Sequence, residues 1–459
     1  MLDFIKKNSM KNYFLVFGLF LIIGCAGDNP TYDNVIKKTT QKQNLNEPKS
    51  WTSVKDNGQI NINWIKSFND IKLEKLVKES LKNNRQIKSL QAQVESSKAL
   101  VKQAASGLKP TVGLGGQYSS RNAAGYDEIY GGGLTASWEA DIWGRLESSV
   151  SSAKQNFNAT QSDYEFARQS LVGSVAKAWY MSINSKLQMQ FANNIVSLLT
   201  KELEIMNAKY KVGIIDKRNV YLAKANLSSA KDAYLKSLTA YENSQRSLEI
   251  LLGRYPSASI QSINKLVEIE KNIPVGIPSE ILNRRPDLIA AQQRVASAFY
   301  KKREAELLKL PRFNFSIGAN ITNLTNAISD LGAGIFAPLY TGGAIESQVE
   351  NATANQKKAI ESYAQKALLA FKDVETALSQ ENKLIDQEGY LKEVVLDNKK
   401  AFELTKATFK VGKIEYLDVV QMRNRYISSE ISLLNISSQR IFNRINLHLA
   451  LGGGFEISE

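Results

Sequence analysis

One cysteine, one histidine and nine prolines occur in 459 residues. A lone cysteine (Cys25) excludes an internal disulfide framework and any multi-cysteine zinc site. A lone histidine (His448) excludes clustered-histidine metal centres and reads as a packing or helix-end residue. No stretch has the GxxxxGK pattern of a phosphate loop or the GxSxG of a nucleophile elbow. With no triad, metal cluster or cofactor loop, an enzyme is not expected. Beyond the N-terminal segment no run of 18 apolar residues occurs, so no transmembrane helix is expected in the processed chain. Acidic residues are outnumbered 45 to 59, for a net charge of +14. The lysines are spread among glutamates along helical stretches, which reads as a solvated helical surface and not as a nucleic-acid face.

What is present begins with a targeting segment. Lys6, Lys7 and Lys11 precede an apolar run from Tyr13 to Ile23, the length of a signal-peptide core and short for a membrane span. The run ends Leu21-Ile22-Ile23-Gly24-Cys25, which resembles a bacterial lipobox and makes Cys25 the lipid-attachment residue. Ala26 follows where an aspartate would signal retention at the inner membrane.

No proline lies between Pro110 and Pro256 or after Pro338, and Arg145–Val212 and Ala344–Val411 contain one glycine each, Gly173 and Gly389. Such stretches can be continuous helix. Apolar and small residues recur at three-four spacing, as in Leu199, Leu203, Met206 and Tyr210, the seam of coiled-coil-like packing. Two halves repeat with an offset near 199: Tyr210-Lys211-Val212-Gly213 matches Phe409-Lys410-Val411-Gly412, and Leu252-Gly253 matches Leu451-Gly452. In the first half the pattern predicts helices over Ile71–Gly107, Arg145–Val212 and Lys217–Leu252, the two shorter ones end to end beside the long one. At ~1.5 Å per residue the long helix is about 100 Å, far beyond a ~30 Å bilayer core, so it projects into an aqueous space.

Between the first two helices the period changes to two. Alternation runs over Thr111–Tyr118 and Gly133–Trp138, and in the second half over Phe313–Ile321 and Leu331–Leu339. Apolar residues alternating with small or polar ones over ~10 residues are the signature of a transmembrane β-strand. Four strands cannot close a barrel, and open edges are not tolerated in lipid, so at least two copies must combine. The division read from the sequence is a signal peptide at 1–24 and an N-terminal lipidated segment with an equatorial contribution at 25–70. Repeat one follows at 71–255, a linker at 256–278, repeat two at 279–452 and a tail at 453–459.

These features together resemble the TolC-like outer-membrane efflux proteins, in the lipidated branch that serves resistance-nodulation-division pumps. The resemblance is carried by Asn63–Asp70, by Trp138-Glu139-Ala140-Asp141-Ile142-Trp143-Gly144-Arg145, by Gly276–Leu288 with its Arg284-Arg285-Pro286-Asp287-Leu288 element, and by Pro338–Gly343. It implies a mixed α/β membrane protein: a long coiled-coil-like α-helical barrel below a transmembrane antiparallel β-barrel, four strands per chain, trimeric, with two internal repeats. The function implied is a passive exit duct of a tripartite efflux pump for drugs or other small toxic compounds; the duct of a type I protein secretion system is the alternative. Implied partners are two further copies, a periplasmic adaptor and an inner-membrane pump; no cofactor is implied beyond the lipid on Cys25. The location implied is the bacterial outer membrane, with the helices in the periplasm. Lys211, Val212, Gly213 and Ile214, with Lys410, Val411, Gly412 and Lys413, become adaptor-docking tips. Asp418, with Gln421 three residues on, becomes a gate at the periplasmic entrance. An aspartate at the start of a helix also complements the helix dipole.

Overall fold

The computed structural model describes residues 50–53, 63–122, 126–269, 276, 278, 280–322 and 326–454. All of them fall within one unit, 47–459. The signal segment 1–24, Cys25 and the tail 455–459 lie outside the described residues.

The described residues form eight α-helices, four strands and two short 3-10 helices, Trp64–Phe68 and Leu307–Lys309. Helices α1 (Ile71–Asn83) and α2 (Arg85–Ser106) lead into strands β1 (Thr111–Asn122) and β2 (Tyr126–Ala140), followed by α3 (Arg145–Lys211) and α4 (Lys217–Leu251). The second half has α5 (Glu280–Arg284), α6 (Pro286–Glu306), β3 (Arg312–Thr322), β4 (Asn326–Phe336), α7 (Ala344–Lys410) and α8 (Tyr416–Ala450). Both α3 and α7 have 67 residues, about 100 Å of helix. Helix α3 packs against α1, α2 and α4, and also against α6 and α8; α7 packs against α6 and α8.

The predicted helix Ile71–Gly107 is two helices. Asn84 leaves the helical conformation, and its Oδ1 accepts the amide N–H groups of Gln86 (2.9 Å) and Ile87 (3.1 Å), capping α2. Its Nδ2 donates to the Leu251 carbonyl, 2.9 Å away, so the end of α4 is seated on the break. Gly253 allows that approach: its φ is +75°, and a Cβ there would lie 2.6 Å from the Asn83 carbonyl oxygen. In the second half Arg285 sits between α5 and α6, and its Nη1 donates to Ala450 O at 3.4 Å.

The strands extend beyond the alternating segments. β1 and β2 have 12 and 15 residues, β3 and β4 have 11 each. They form an antiparallel sheet in the order β1-β2-β3-β4. β4 ends at Phe336 and does not reach Leu339; Pro338 has no amide N–H to give to a ladder.

The principal core lies below the sheet. Trp64, Phe68, Leu73 and Val77 pack on Val172, Val175, Trp179 and Ile183 of α3, with Leu248 of α4 and Ile445 of α8. A second cluster joins Trp51, Ile281 and Leu288 to Ala370, Val374 and Ala377 of α7 and Leu447 of α8. The Trp51 indole donates to Gly276 O at 3.0 Å, and Thr52 and Ser53 amide N–H groups reach the Glu375 carboxylate at 2.7 and 3.2 Å.

Candidate functional site

The sheet has two chemically distinct faces. The register places Val112 beside Ala136, Leu114 beside Leu134 and Tyr118 beside Tyr130. It continues across the sheet with Trp138 beside Phe315, Ala136 beside Ile317, and Ile317 beside Leu331. These side chains share one face and are uncovered: Leu114 is 83 % exposed and Leu331 85 %. Near the helical end the Trp138 and Phe315 rings stack at 5.8 Å, and the Trp138 indole donates to Leu108 O. The opposite face carries Gly113, Gly115 and Gln117, then Gly131, Gly133 and Thr135, then Asn314, Ser316 and Asn320, then Asp330 and Gly332. Small residues keep it open. At Gly133 even a Cβ would lie 2.6 Å from the Ala319 carbonyl oxygen. An apolar face of this height suits hydrocarbon, and the polar face suits water. β1 and β4 are the outer strands of the sheet.

The Trp138–Arg145 segment turns the chain from sheet to helix. Gly144 takes φ +76° as the N-cap of α3 and has no side chain to satisfy the first turn. Asp141 supplies that function, accepting the Leu146 and Glu147 amide N–H groups at 3.0 and 2.8 Å. Arg145 pairs with Glu139 at 2.8 Å, and the Trp143 indole donates to Pro311 O at 2.7 Å, tying the turn to the start of β3.

At the other end of the long helices the two glycine tips are built alike. Gly213 (φ +74°) and Gly412 (φ +75°) follow α3 and α7. The Gly213 N–H donates to Tyr210 O and the Ile214 N–H to Lys209 O; Gly412 and Lys413 repeat the pattern onto Phe409 and Thr408. These are Schellman endings, in which left-handed glycine reverses the chain. The tips are brought together: Met206, Ala223, Phe402, Tyr416 and Val419 share one buried cluster, and Lys209 Nζ lies 4.6 Å from the Phe409 ring centre. Val212, Ile214 and Val411 are 68–69 % exposed at the very end.

Asp418 and Gln421 are both exposed on the first turns of α8. Asp418 belongs to a capping box: its Oδ2 accepts the Glu415 amide N–H at 3.2 Å while the Glu415 side chain takes the amide N–H of Asp418. It therefore has a local structural task whatever else it does.

Sequence reasoning missed the charged contacts buried between helices. Arg423, on α8, pairs with Glu202 of α3 at 2.8 Å. Arg444 pairs with Glu381 of α7 at 2.6 Å, and Arg440 with Glu388 at 2.8 Å. Burial pushes the Glu388 carboxyl up, but Arg440 and Lys392 beside it hold it below the usual carboxylate range. On a helix of mixed polar and apolar residues a single letter does not say whether a charge is solvated or buried, so only the packing distinguishes these residues from surface charges. Among the described residues no cluster of three or more His, Cys, Asp or Glu could hold a metal, and no helix is long and apolar enough to cross a membrane.

Comparison with known proteins matches residues 76–254 and 277–453 to the family described as outer membrane efflux protein. The chain is 24 % identical over 440 residues to the cation efflux system protein CusC of Escherichia coli K12, covering 93 % of this chain and 95 % of that protein. It is 23 % identical over 478 residues to the pyoverdine export outer membrane protein OpmQ of Pseudomonas aeruginosa, covering 98 % of each. It is 22 % identical over 461 residues to a probable outer membrane lipoprotein, SilC, of Salmonella typhimurium, covering 95 % and 97 %. Among solved structures, the CmeC outer membrane channel of Campylobacter jejuni superposes with a TM-score of 0.82 at 24 % identity, covering 88 % of this chain and 91 % of that one.

Proposed function

The chain belongs to the outer membrane efflux protein family, and from that premise we propose that three copies close their sheets into one barrel and their helices into one tunnel, forming the exit duct of a tripartite efflux pump. It is an outer-membrane channel component and not an enzyme. The observation that carries the trimeric barrel is the two-faced sheet. Its apolar face needs lipid, its polar face needs water, and the outer strands β1 and β4 need partners. Joining β4 of one copy to β1 of the next meets all three requirements, and three copies supply twelve strands, within the range of natural outer-membrane barrels. The equal 67-residue helices then line a periplasmic tunnel, with the two halves of each chain as quasi-equivalent repeats.

In this reading Cys25 carries lipid, as the lipobox-like Leu21–Cys25 segment and the lipoprotein among the relatives suggest. The paired tips receive a periplasmic adaptor, which links the duct to an inner-membrane pump of the resistance-nodulation-division type. Asp418 and Gln421 line the narrow entrance between them. The cargo is a small toxic compound or ion; the relatives are named for cargoes as different as cations and pyoverdine, which fits a duct that selects cargo weakly. Native mass measurement of the detergent-extracted protein tests the assembly. A mass of three chains is expected, and a folded monomer as the stable species would contradict it.

A further inference from the structure

At the free end of the helices the acidic and basic side chains are used differently. Asp216 accepts the Arg218 amide N–H at 2.8 Å, and Glu415 and Asp418 close the capping box, so these carboxylates are tied to helix starts. The neighbouring cations are not tied in the same way. Among the described residues no ion pair uses Lys211, Lys217, Arg218, Lys410 or Lys413. Lys211 and Lys410 have a local explanation: each lies in the last turn of a long helix, where a cation complements the partial negative charge.

That explanation fails for Lys217 and Arg218. They are the first two residues of α4, where the partial positive charge of the helix end opposes a cation, and the first turn of α4 holds no acidic residue. The quasi-equivalent α8 begins with Tyr416 and Leu417 and has Asp418 in its first turn. Lys217 and Arg218 are exposed and flank a turn that presents Val212 and Ile214 to solvent. Lys217 Nζ lies 5.6 Å from the Tyr221 ring centre, holding the ammonium along the helix surface. An apolar centre rimmed by unpaired cations complements a segment with small apolar side chains and carboxylates.

We propose that the α3–α4 turn docks an acidic protein segment, its carboxylates pairing with Lys217 and Arg218 around a contact to Val212 and Ile214. This rests on the reading of the tips as the adaptor-docking end. It adds the chemistry of the adaptor's contact segment and assigns that segment to one of the two tips. The test places a photo-crosslinking side chain at Ile214 of the full chain in its own bacterial membrane and sequences the crosslinked partner peptide. The experiment is repeated with Lys217→Glu and Arg218→Glu combined. The expected peptide contains Asp or Glu, the charge reversal lowers the crosslink yield about tenfold, and changing the mapped carboxylates to lysine restores it. Native mass measurement of the charge-reversed protein must give the wild-type assembly for that loss to count as support. A contact peptide without carboxylates, or a yield unmoved by charge reversal, overturns the proposal and leaves the docking-end reading standing. Absence of any protein crosslink from both Ile214 and Val411 overturns the two together.

Discussion

His448 shows how much one buried side chain can determine. It is 4 % exposed and stacks on Trp64 with ring centres 5.4 Å apart. Burial, and then the Arg444 charge, pull its pKa down to about 3 from 6.5. The unfolded chain therefore binds a proton that the folded chain refuses, and stability is full above pH 6.5 and falls as the pH drops towards 3, by ~1.4 kcal/mol per unit. Glu249, Glu375 and Glu388 contribute only below their ordinary value of 4.5, because each is held lower in the fold. Between pH 6.5 and 4.5 the slope belongs mainly to His448. His448→Gln is expected to flatten the pH dependence of the denaturation midpoint there; an unchanged slope would contradict this. Asp418 allows a cleaner separation of roles than alanine gives. Asp418→Asn keeps an acceptor for the Glu415 amide N–H and removes the charge. If Asp418 rings a narrow entrance, the variant loses cation preference in asymmetric KCl with little loss of stability; an unaltered reversal potential would leave Asp418 as a capping residue. From the sequence the dipole partner and the gate are the same letter at the same place, which is why neither reading excluded the other, and the capping box itself became visible only in the structure.

The elements were legible where the physics is local. Missing proline and scarce glycine marked α3 and α7 almost to their ends, because little else interrupts a helix. The tips were legible because a left-handed turn after a helix wants glycine. The break at Asn84 was not, since asparagine is tolerated within helices; what makes it a break is the end of α4, 167 residues away in sequence. The strands were read short for a related reason: alternation fades in Gly131-Gly132-Gly133 of β2 and in the polar Ser119-Ser120 of β1, while the ladders of β2 with β1 and β3 continue through these segments. Glycines in different backbone settings give opposite expectations. Gly389 lies inside α7, and a Cβ added there would meet nothing within 4 Å. It should accept alanine with a gain of ~0.5–1 kcal/mol. Gly213, at φ +74°, should lose roughly 1–2 kcal/mol on the same change. Chemical denaturation of the two variants checks the pair, and a shared sign would contradict the assignment.

For the whole molecule, the sequence shows why one chain is insufficient. An open sheet with one apolar and one polar face has no stable setting by itself in lipid, and helices of about 100 Å have none within a bilayer. Both become ordinary once the sheet closes around water and the helices continue that space into the periplasm. The copy number was not legible, because strand count per chain sets only a minimum and closure depends on the edges β1 and β4. The docking chemistry was not legible either; Lys217 and Arg218 look like any solvated pair until the start of α4 is fixed beneath them. The central claim is that these chains together enclose a continuous aqueous path. Single-channel recording of the natively assembled protein in a planar bilayer tests it most directly. Discrete, reproducible conductance steps are the expected result, and a protein that inserts with its native mass and passes no current, even with the Asp418 charge removed, would contradict the account.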